Sequence, residues 1–273
     1  MNKIRLGLVL SSLMATTAIA HAADPAESYE MAEKASHNKE IIFHLGVGVR
    51  TQPRYDGADS YLVYPVPIFR LDYLKLPYLG EVADGEDQTT RGFFFYPTFN
   101  VIGERNAGDS NSLTGLRDID TAYELGLGGG YRYGMFEGFV EVRRGFGGYN
   151  GFVGQAGVNA IFDPTDRWNI RTGPRVAFAD NNYMDTYFGV TAAEATASPV
   201  INSAYEADAG IKSVGIKALS TYDLTKDFRL HLEAGYDRLV LDAADSPIAE
   251  NGSKDQFTVG VGVTYRFALD LWD

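Results

Sequence analysis

Phe257-Thr258-Val259-Gly260-Val261-Gly262-Val263-Thr264-Tyr265-Arg266-Phe267 alternates along its whole length. Phe257, Val259, Val261, Val263, Tyr265 and Phe267 share one face; Thr258, Gly260, Gly262, Thr264 and Arg266 share the other. A period of two marks a β-strand, because a helix repeats its apolar face every three or four positions. Upstream, Asp227 to Leu239 repeats the pattern, with Phe228, Leu230, Leu232, Ala234 and Tyr236 set against Arg229, His231, Glu233, Gly235 and Asp237. The same alternation runs through Phe43–Val49, Tyr123–Tyr133 and Trp168–Phe178.

A soluble β-sandwich also alternates, so strand length and the content of the polar face decide between the two. These strands run to about 11–14 residues, the length of a tilted bilayer crossing, whereas soluble strands average about 5–6. The polar faces mix Arg, Glu and Gly, as a crowded lumen would, with Gly making room for long neighbours. Tyr and Phe gather at strand ends, as in interfacial girdles. The expected fold is all-β: an antiparallel transmembrane β-barrel of about ten strands, with twelve as the alternative.

The ten strands fall near 40–50, 61–73, 91–103, 120–133, 135–145, 151–163, 167–179, 206–223, 227–240 and 255–267. Three connections are short and use turn chemistry: Tyr133-Gly134, Asp163-Pro164-Thr165-Asp166 and Leu224-Thr225-Lys226. Short turns belong to the periplasmic side. The mostly longer connections 51–60, 104–119, 146–150, 180–205 and 241–254 then face outward. One long connection, 74–90, lands on the periplasmic side and is a place for strand extensions or two further strands. Within 180–205, the Ala-rich run Thr191–Ala197 predicts a short helix ending before Pro199, packed over or into the barrel mouth.

The chain has 273 residues, 24 Lys+Arg, 36 Asp+Glu and no Cys. Zero cysteine removes disulfide scaffolds, thiol catalysis, thiolate zinc sites and iron–sulfur clusters. A net charge of −12 argues against nucleic-acid binding, which needs a basic footprint. Lys3 and Arg5, the apolar run Leu6–Ala20 and the small-x-small site Ala20-His21-Ala22 form a secretory signal peptide over residues 1–22. Removing it takes away two basic residues and no acid, so the mature chain is more acidic still. Residues 23–39 read as a flexible periplasmic segment, 40–267 as the outer-membrane barrel and 268–273 as a C-terminal extension.

No catalytic, cofactor or metal site emerges. His37, His44 and His231 have no second His at ligand spacing. G-x-S-x-G and H-E-x-x-H are missing, and the glycine run Gly126–Gly130 lies inside a strand, so it is no phosphate loop. What remains is a lumenal charge network of Glu124, Arg132, Glu141, Arg143, Arg171, Arg175, Arg229, His231, Glu233, Asp237 and Arg266. It reads chiefly as salt bridges filling a narrow barrel, with a selective channel or a hydrolytic site as the sharper alternative. Leu76, Pro77, Tyr78 and Leu79, in the largest periplasmic connection, are the candidates for docking a partner.

Several local patterns resemble the MipA/OmpV family of outer-membrane proteins (MltA-interacting protein). They are Pro53–Asp59 with Tyr64-Pro65-Val66-Pro67, then Asp118-Ile119-Asp120 with Glu124, and Val142-Arg143-Arg144-Gly145. Tyr187-Phe188-Gly189-Val190 follows with Ala192-Ala193 and Ser198, then Tyr236-Asp237-Arg238-Leu239, Asp242–Ile248 and Tyr265-Arg266-Phe267. Each is weak alone; in this order over nearly the whole mature chain they are specific. The resemblance implies a non-enzymatic barrel in the outer membrane of a Gram-negative bacterium, in contact with lipid and lipopolysaccharide and without cofactors. In one branch it implies a scaffold linking a lytic transglycosylase to a bifunctional penicillin-binding protein in peptidoglycan biosynthesis. In the other it implies a surface adhesin or osmotic-response protein. A narrow small-solute channel stays open as a further reading. The six residues after Phe267 depart from the family habit of ending on the last strand's aromatic residue.

Overall fold

The computed structural model describes residues 41–76, 80–83 and 91–269. The signal sequence and the segment 23–39 lie outside the described residues. Eleven strands are described: β1 (Ile41–Pro53), β2 (Tyr61–Leu76), β3 (Gly80–Ala83), β4 (Arg91–Ile102), β5 (Ala122–Tyr133), β6 (Phe136–Gly147), β7 (Phe152–Thr165), β8 (Trp168–Ala179), β9 (Gly210–Asp223), β10 (Phe228–Leu239) and β11 (Asp255–Leu269). Ten are long; the eleventh, β3, is a four-residue strand inside the long connection 74–90 and pairs with the end of β2. The last strand runs two residues past Phe267.

All pairings are antiparallel, and the strands form one curled sheet in the order β3-β2-β1-β11-β10-β9-β8-β7-β6-β5-β4. β1 closes on β11 over eleven paired positions, from Ile41–Leu269 to Thr51–Val259. The meander therefore wraps round, and β2 and β4 are left as the two edges of a seam.

Alternation sorts the side chains as the sequence requires. Phe95, Phe93, Leu127 and Val47 face outward and are 81%, 75%, 73% and 72% exposed. A soluble chain does not leave a continuous apolar belt of this kind in water, so the belt is the lipid-facing surface. Aromatic rings crowd the short-turn end: Phe43 stacks on Phe267 at 5.1 Å, Tyr265 meets Phe228 and Phe267, and Phe93 meets Tyr131. Amphipathic rings at such a boundary are the girdle of a membrane barrel.

Inside, small residues face large ones. The rings of Tyr96 and Phe94 on β4 lie over Gly128 and Gly130 of β5, where any Cβ would collide with them. The glycine run is thus a wall thinned to admit aromatic side chains into the lumen, which is its packing role.

At the other end the five connections, four of them long, fold together as a lid. It holds a 3₁₀ turn (Asn111–Leu113) and four short helices: α1 (Asn181–Tyr187), α2 (Ala192–Ala197), α3 (Leu241–Asp245) and α4 (Pro247–Glu250). α2 forms within the Ala-rich run expected to be helical. Thr191 and Glu194 cap it reciprocally, and the helix stops at Ser198, before Pro199. The lid contains most of the fully buried apolar residues among those described. One cluster joins Tyr149, Tyr183, Met184, Tyr187, Phe188 and Ala243; a second joins Tyr55, Leu113, Leu116, Val190, Ile201 and Ile248.

Candidate functional site

The lid is built from polar ties between segments far apart in sequence. Arg105, 2% exposed, donates through Nη1 to the Tyr187 carbonyl at 2.8 Å. Burial and the neighbouring Arg117 push its guanidinium down to about 10. It is still charged at neutral pH, and its contacts are with a helix-end carbonyl, where a cation is favoured. Ser246 donates to the Phe188 carbonyl at 2.6 Å. Arg117 grips Glu194 of α2 at 2.9 Å and the Asp185 carbonyl at 2.6 Å. Gln256 donates to the Ser253 carbonyl at 2.7 Å and reaches the Ala58 carbonyl at 3.3 Å.

At the centre, Asp56 accepts from Lys212 Nζ at 2.7 Å and from the Tyr183 hydroxyl at 2.6 Å. Burial alone would raise the Asp56 carboxyl, but the Lys212 charge and the two hydrogen bonds outweigh it and hold the group below the usual carboxylate range. Tyr149, Tyr183 and Tyr187 pack edge to face or tilted, with centroids 4.6–5.7 Å apart. Among the described residues these three rings pack at the centre of the lid.

Below the lid, the eleven lumenal residues read from the sequence occupy several places. Glu124, Glu141 and Arg143 form one cluster: Arg143 bridges both carboxylates at 2.9 Å. Tyr149 and Asn100 donate to Glu124 at 2.7 and 3.0 Å, while Tyr96 and Gln155 donate to Glu141 at 2.8 and 2.7 Å. Each carboxylate is therefore almost fully satisfied. Glu233 belongs to a second cluster with Arg50 at 2.6 Å and with Lys217. Arg171 lies 3.6 Å from Glu137. His231 is 2.8 Å from Thr264, which is in turn 3.4 Å from His44.

The remaining five stand apart. Arg229 pairs with Asp223 at 2.6 Å beside the β9–β10 turn. Arg175 lies over the Phe139 ring. Asp237 lies against Gly215, where an added Cβ would meet its carboxylate. Arg132 reaches the Gly134 carbonyl at 3.5 Å near the short-turn end, and Arg266 is half-buried at that same end of β11. Among the docking candidates, Leu76 ends β2; Pro77, Tyr78 and Leu79 lie outside the described residues.

Three cluster members were not among the sequence candidates: Arg50, Glu137 and Lys217. Period two finds the first two, since Arg50 shares a face with His44, and Glu137 with Glu141 and Arg143. Lys217 lies in a strand whose residues alternate weakly. Among the described residues no group of His, Asp and Glu is arranged to hold a metal ion.

A cavity of about 770 Å³ lies within the barrel on the seam side. Arg50, Arg54, Arg70, Arg171 and Glu233 give it four guanidiniums and one carboxylate. Its wall includes Pro65, Pro67 and Phe69 of β2 and Phe99 and Val101 of β4, so it reaches both lips of the seam.

A curled antiparallel meander with a lipid-facing belt, a charged lumen and a packed lid defines an outer-membrane β-barrel protein. The sequence model of one family, MltA-interacting protein MipA, matches residues 45–267, and the chain belongs to that family. No curated protein matches the chain. Solved structures with a similar strand arrangement include Neisserial surface protein A (11% identity, 83% of this chain and 97% of that one, TM-score 0.28). Another is Ail, the attachment invasion locus protein of Yersinia pestis (11% identity, 84% and 99%, TM-score 0.25). A third is a loop L8 deletion mutant of OmpT from Vibrio cholerae (10% identity, 84% and 98%, TM-score 0.35).

Proposed function

We propose that this protein is a non-enzymatic scaffold of the outer membrane. It is exported by its first 22 residues and oriented with the lid outward and the short turns in the periplasm. There it holds murein enzymes, a lytic transglycosylase and a bifunctional penicillin-binding protein, against the membrane. The observation that carries the reading is the packed lid. Tyr55, Leu113, Tyr183, Tyr187 and Phe188, each 4% exposed or less, fill the mouth that a diffusive channel would keep open. The family's designation as MltA-interacting supports the choice of partner class. Clusters such as Glu124–Arg143–Glu141 are satisfied among themselves, which suits wall stiffening better than proton or group transfer.

Docking then falls to the short-turn end, with the connection 74–90 as its largest feature. The test is crosslinking in intact cells with a bifunctional amine reagent, followed by identification of the captured proteins. Murein synthases and lytic transglycosylases are expected. Their absence, together with ion conductance in planar bilayers, would replace the scaffold with the channel. Their absence together with binding to host cells or matrix would favour the adhesin.

A further inference from the structure

Hydrogen bonds among the described residues do not seal the wall of this barrel all the way round. Among the described residues, β2 pairs with β1 and β3, and β4 pairs with β5; no ladder joins β2 to β4. The two strands run in opposite directions and face each other across the seam. In the hydrocarbon of a bilayer, unpaired edges of this kind occur only where something else meets them.

Three prolines mark the seam. Pro65 and Pro67 sit opposite Val49 and Val47 of β1, and Pro97 sits opposite Leu127 of β5, all within regular register. A proline fits a continuous ladder only where its missing N–H points away from the paired strand. All three nitrogens are therefore turned to the seam. Counting from the lid end, Pro65 and Pro67 are the fifth and seventh residues of β2 and Pro97 the sixth from the end of β4, so they lie at one height. The seam cannot zip there, and an added strand from another chain would find too few donors. A proline inside a paired region looks different: Pro174 of β8 coincides with a gap in the β7–β8 ladder between Gly157–Arg175 and Ala160–Thr172.

We propose that the β2–β4 seam is a side entrance for the apolar chain of an anionic amphiphile from the membrane. Its head group lies in the cavity among Arg50, Arg54, Arg70 and Arg171. The lips are apolar: Phe69 is 66% exposed and Phe99 61%. Behind them the lining carries four guanidiniums to one carboxylate. The cavity also holds an enclosed donor, Arg54 Nε, that no acceptor satisfies, while Nη1 of the same side chain makes only a 3.4 Å contact with Asp109. A phosphate or sulfate head would supply acceptors for planar guanidiniums, and its chain would cover the strand edges that no described residue pairs.

The test uses the purified full chain in phosphatidylethanolamine bilayers with lysophosphatidylglycerol carrying a photoactivatable group on its acyl chain, and adducts are mapped by mass spectrometry. Adducts are expected within 61–70 and 95–102, and the choline-headed analogue should label these positions about tenfold less. Arg54→Gln should lower labelling severalfold with heat-modifiable migration unchanged. Pro65→Val with Pro67→Val and Pro97→Val supplies the missing donors and should abolish it. Adducts spread evenly round the belt, to Val214 and Ile216 of β9 on the far wall, overturn the entrance. Equal labelling by the choline probe overturns the arginine head-group site. Crosslinks between the lips of two copies reassign the seam to strand exchange. If the triple variant does not assemble, the adduct map of the unmodified chain still decides.

Discussion

Tyr149, in the connection between β6 and β7, donates its hydroxyl to Glu124 Oε1 on the inner wall at 2.7 Å, so one hydrogen bond joins the lid to the lumenal charge cluster. Burial, the Glu124 charge and the hydrogen bond itself push the Tyr149 phenol well above its ordinary value, and it stays a donor at any physiological pH. Glu124 keeps Asn100 and Arg143 when this bond is removed. Tyr149→Phe is expected to cost about 1 kcal/mol, the net worth of one hydrogen bond. Limited proteolysis should then cut the lid faster while the strands stay resistant. Unchanged lid cleavage would show that the bond ties nothing.

Asp56 predicts an acid response of the lid. Its carboxyl is held below the ordinary range in the folded protein, so it contributes stability above its unfolded pKa. That contribution fades as pH falls through the folded value. The lid should loosen on acidification below the usual carboxylate range, seen as faster hydrogen exchange in 181–187. Asp56→Asn should exchange faster at neutral pH and lose that acid step. An acid step of the same size in the variant would assign the response to another group.

Register predicts an asymmetry between adjacent residues. Leu232 points to lipid and is 45% exposed, whereas Glu233 points inward to Arg50 and Lys217. Leu232→Arg should cost about 2–4 kcal/mol if it lies near the bilayer midplane. Glu233→Arg places a third cation in a charged cluster open to a cavity, which is costly but less so for insertion. Heat-modifiable migration of membrane fractions should show less assembled protein for the first variant; the reverse order would put the register out by one.

Gly115 predicts a weak point in the lid. Its φ is +87°, and an added Cβ would lie 2.7 Å from the backbone of Ala197 and Ser198. Gly115→Ala therefore combines left-handed strain, about 1–3 kcal/mol, with a backbone clash at the end of α2. Proteolysis should open 103–121 first. A lid as resistant as the parent's would mean that α2 shifts freely.

Sidedness is checked by single cysteines, made clean by the absence of native Cys. Asn182→Cys and Asn251→Cys lie on exposed parts of the lid and should react with a membrane-impermeant maleimide on intact cells. Asp84→Cys should not. Reaction of Asp84→Cys alone would turn the barrel over.

Where alternation is strict, the sequence places the wall well: β10 and β11 lie within two residues of the spans 227–240 and 255–267 read from the sequence. Around 74–90 the pattern is interrupted by Pro77 and an acidic run, and the four-residue β3 is too short to show a period. The lumenal faces were legible, but not which residues pair. Arg143 reaches Glu124 across adjacent strands, and Arg50 meets Glu233 across β11, relations set by register and curvature rather than by spacing. The lid was legible only at α2. Its other contacts, such as Arg105 to Tyr187, join positions 82 apart, and no local pattern encodes them.

The lid also fixes an order of events. Gly57 to Ser253 at 2.8 Å links the first hairpin to the last, and Asp56 to Lys212 links it to β9. Neither of these two can form until β1 has met β11, because loop closure over such spans yields nothing until the wall brings the ends together. A completed lid is thus a record that insertion has finished. A stalled barrel carries five loose loops on one end, so protease attack there would discriminate half-built molecules from finished ones without any recognition of sequence.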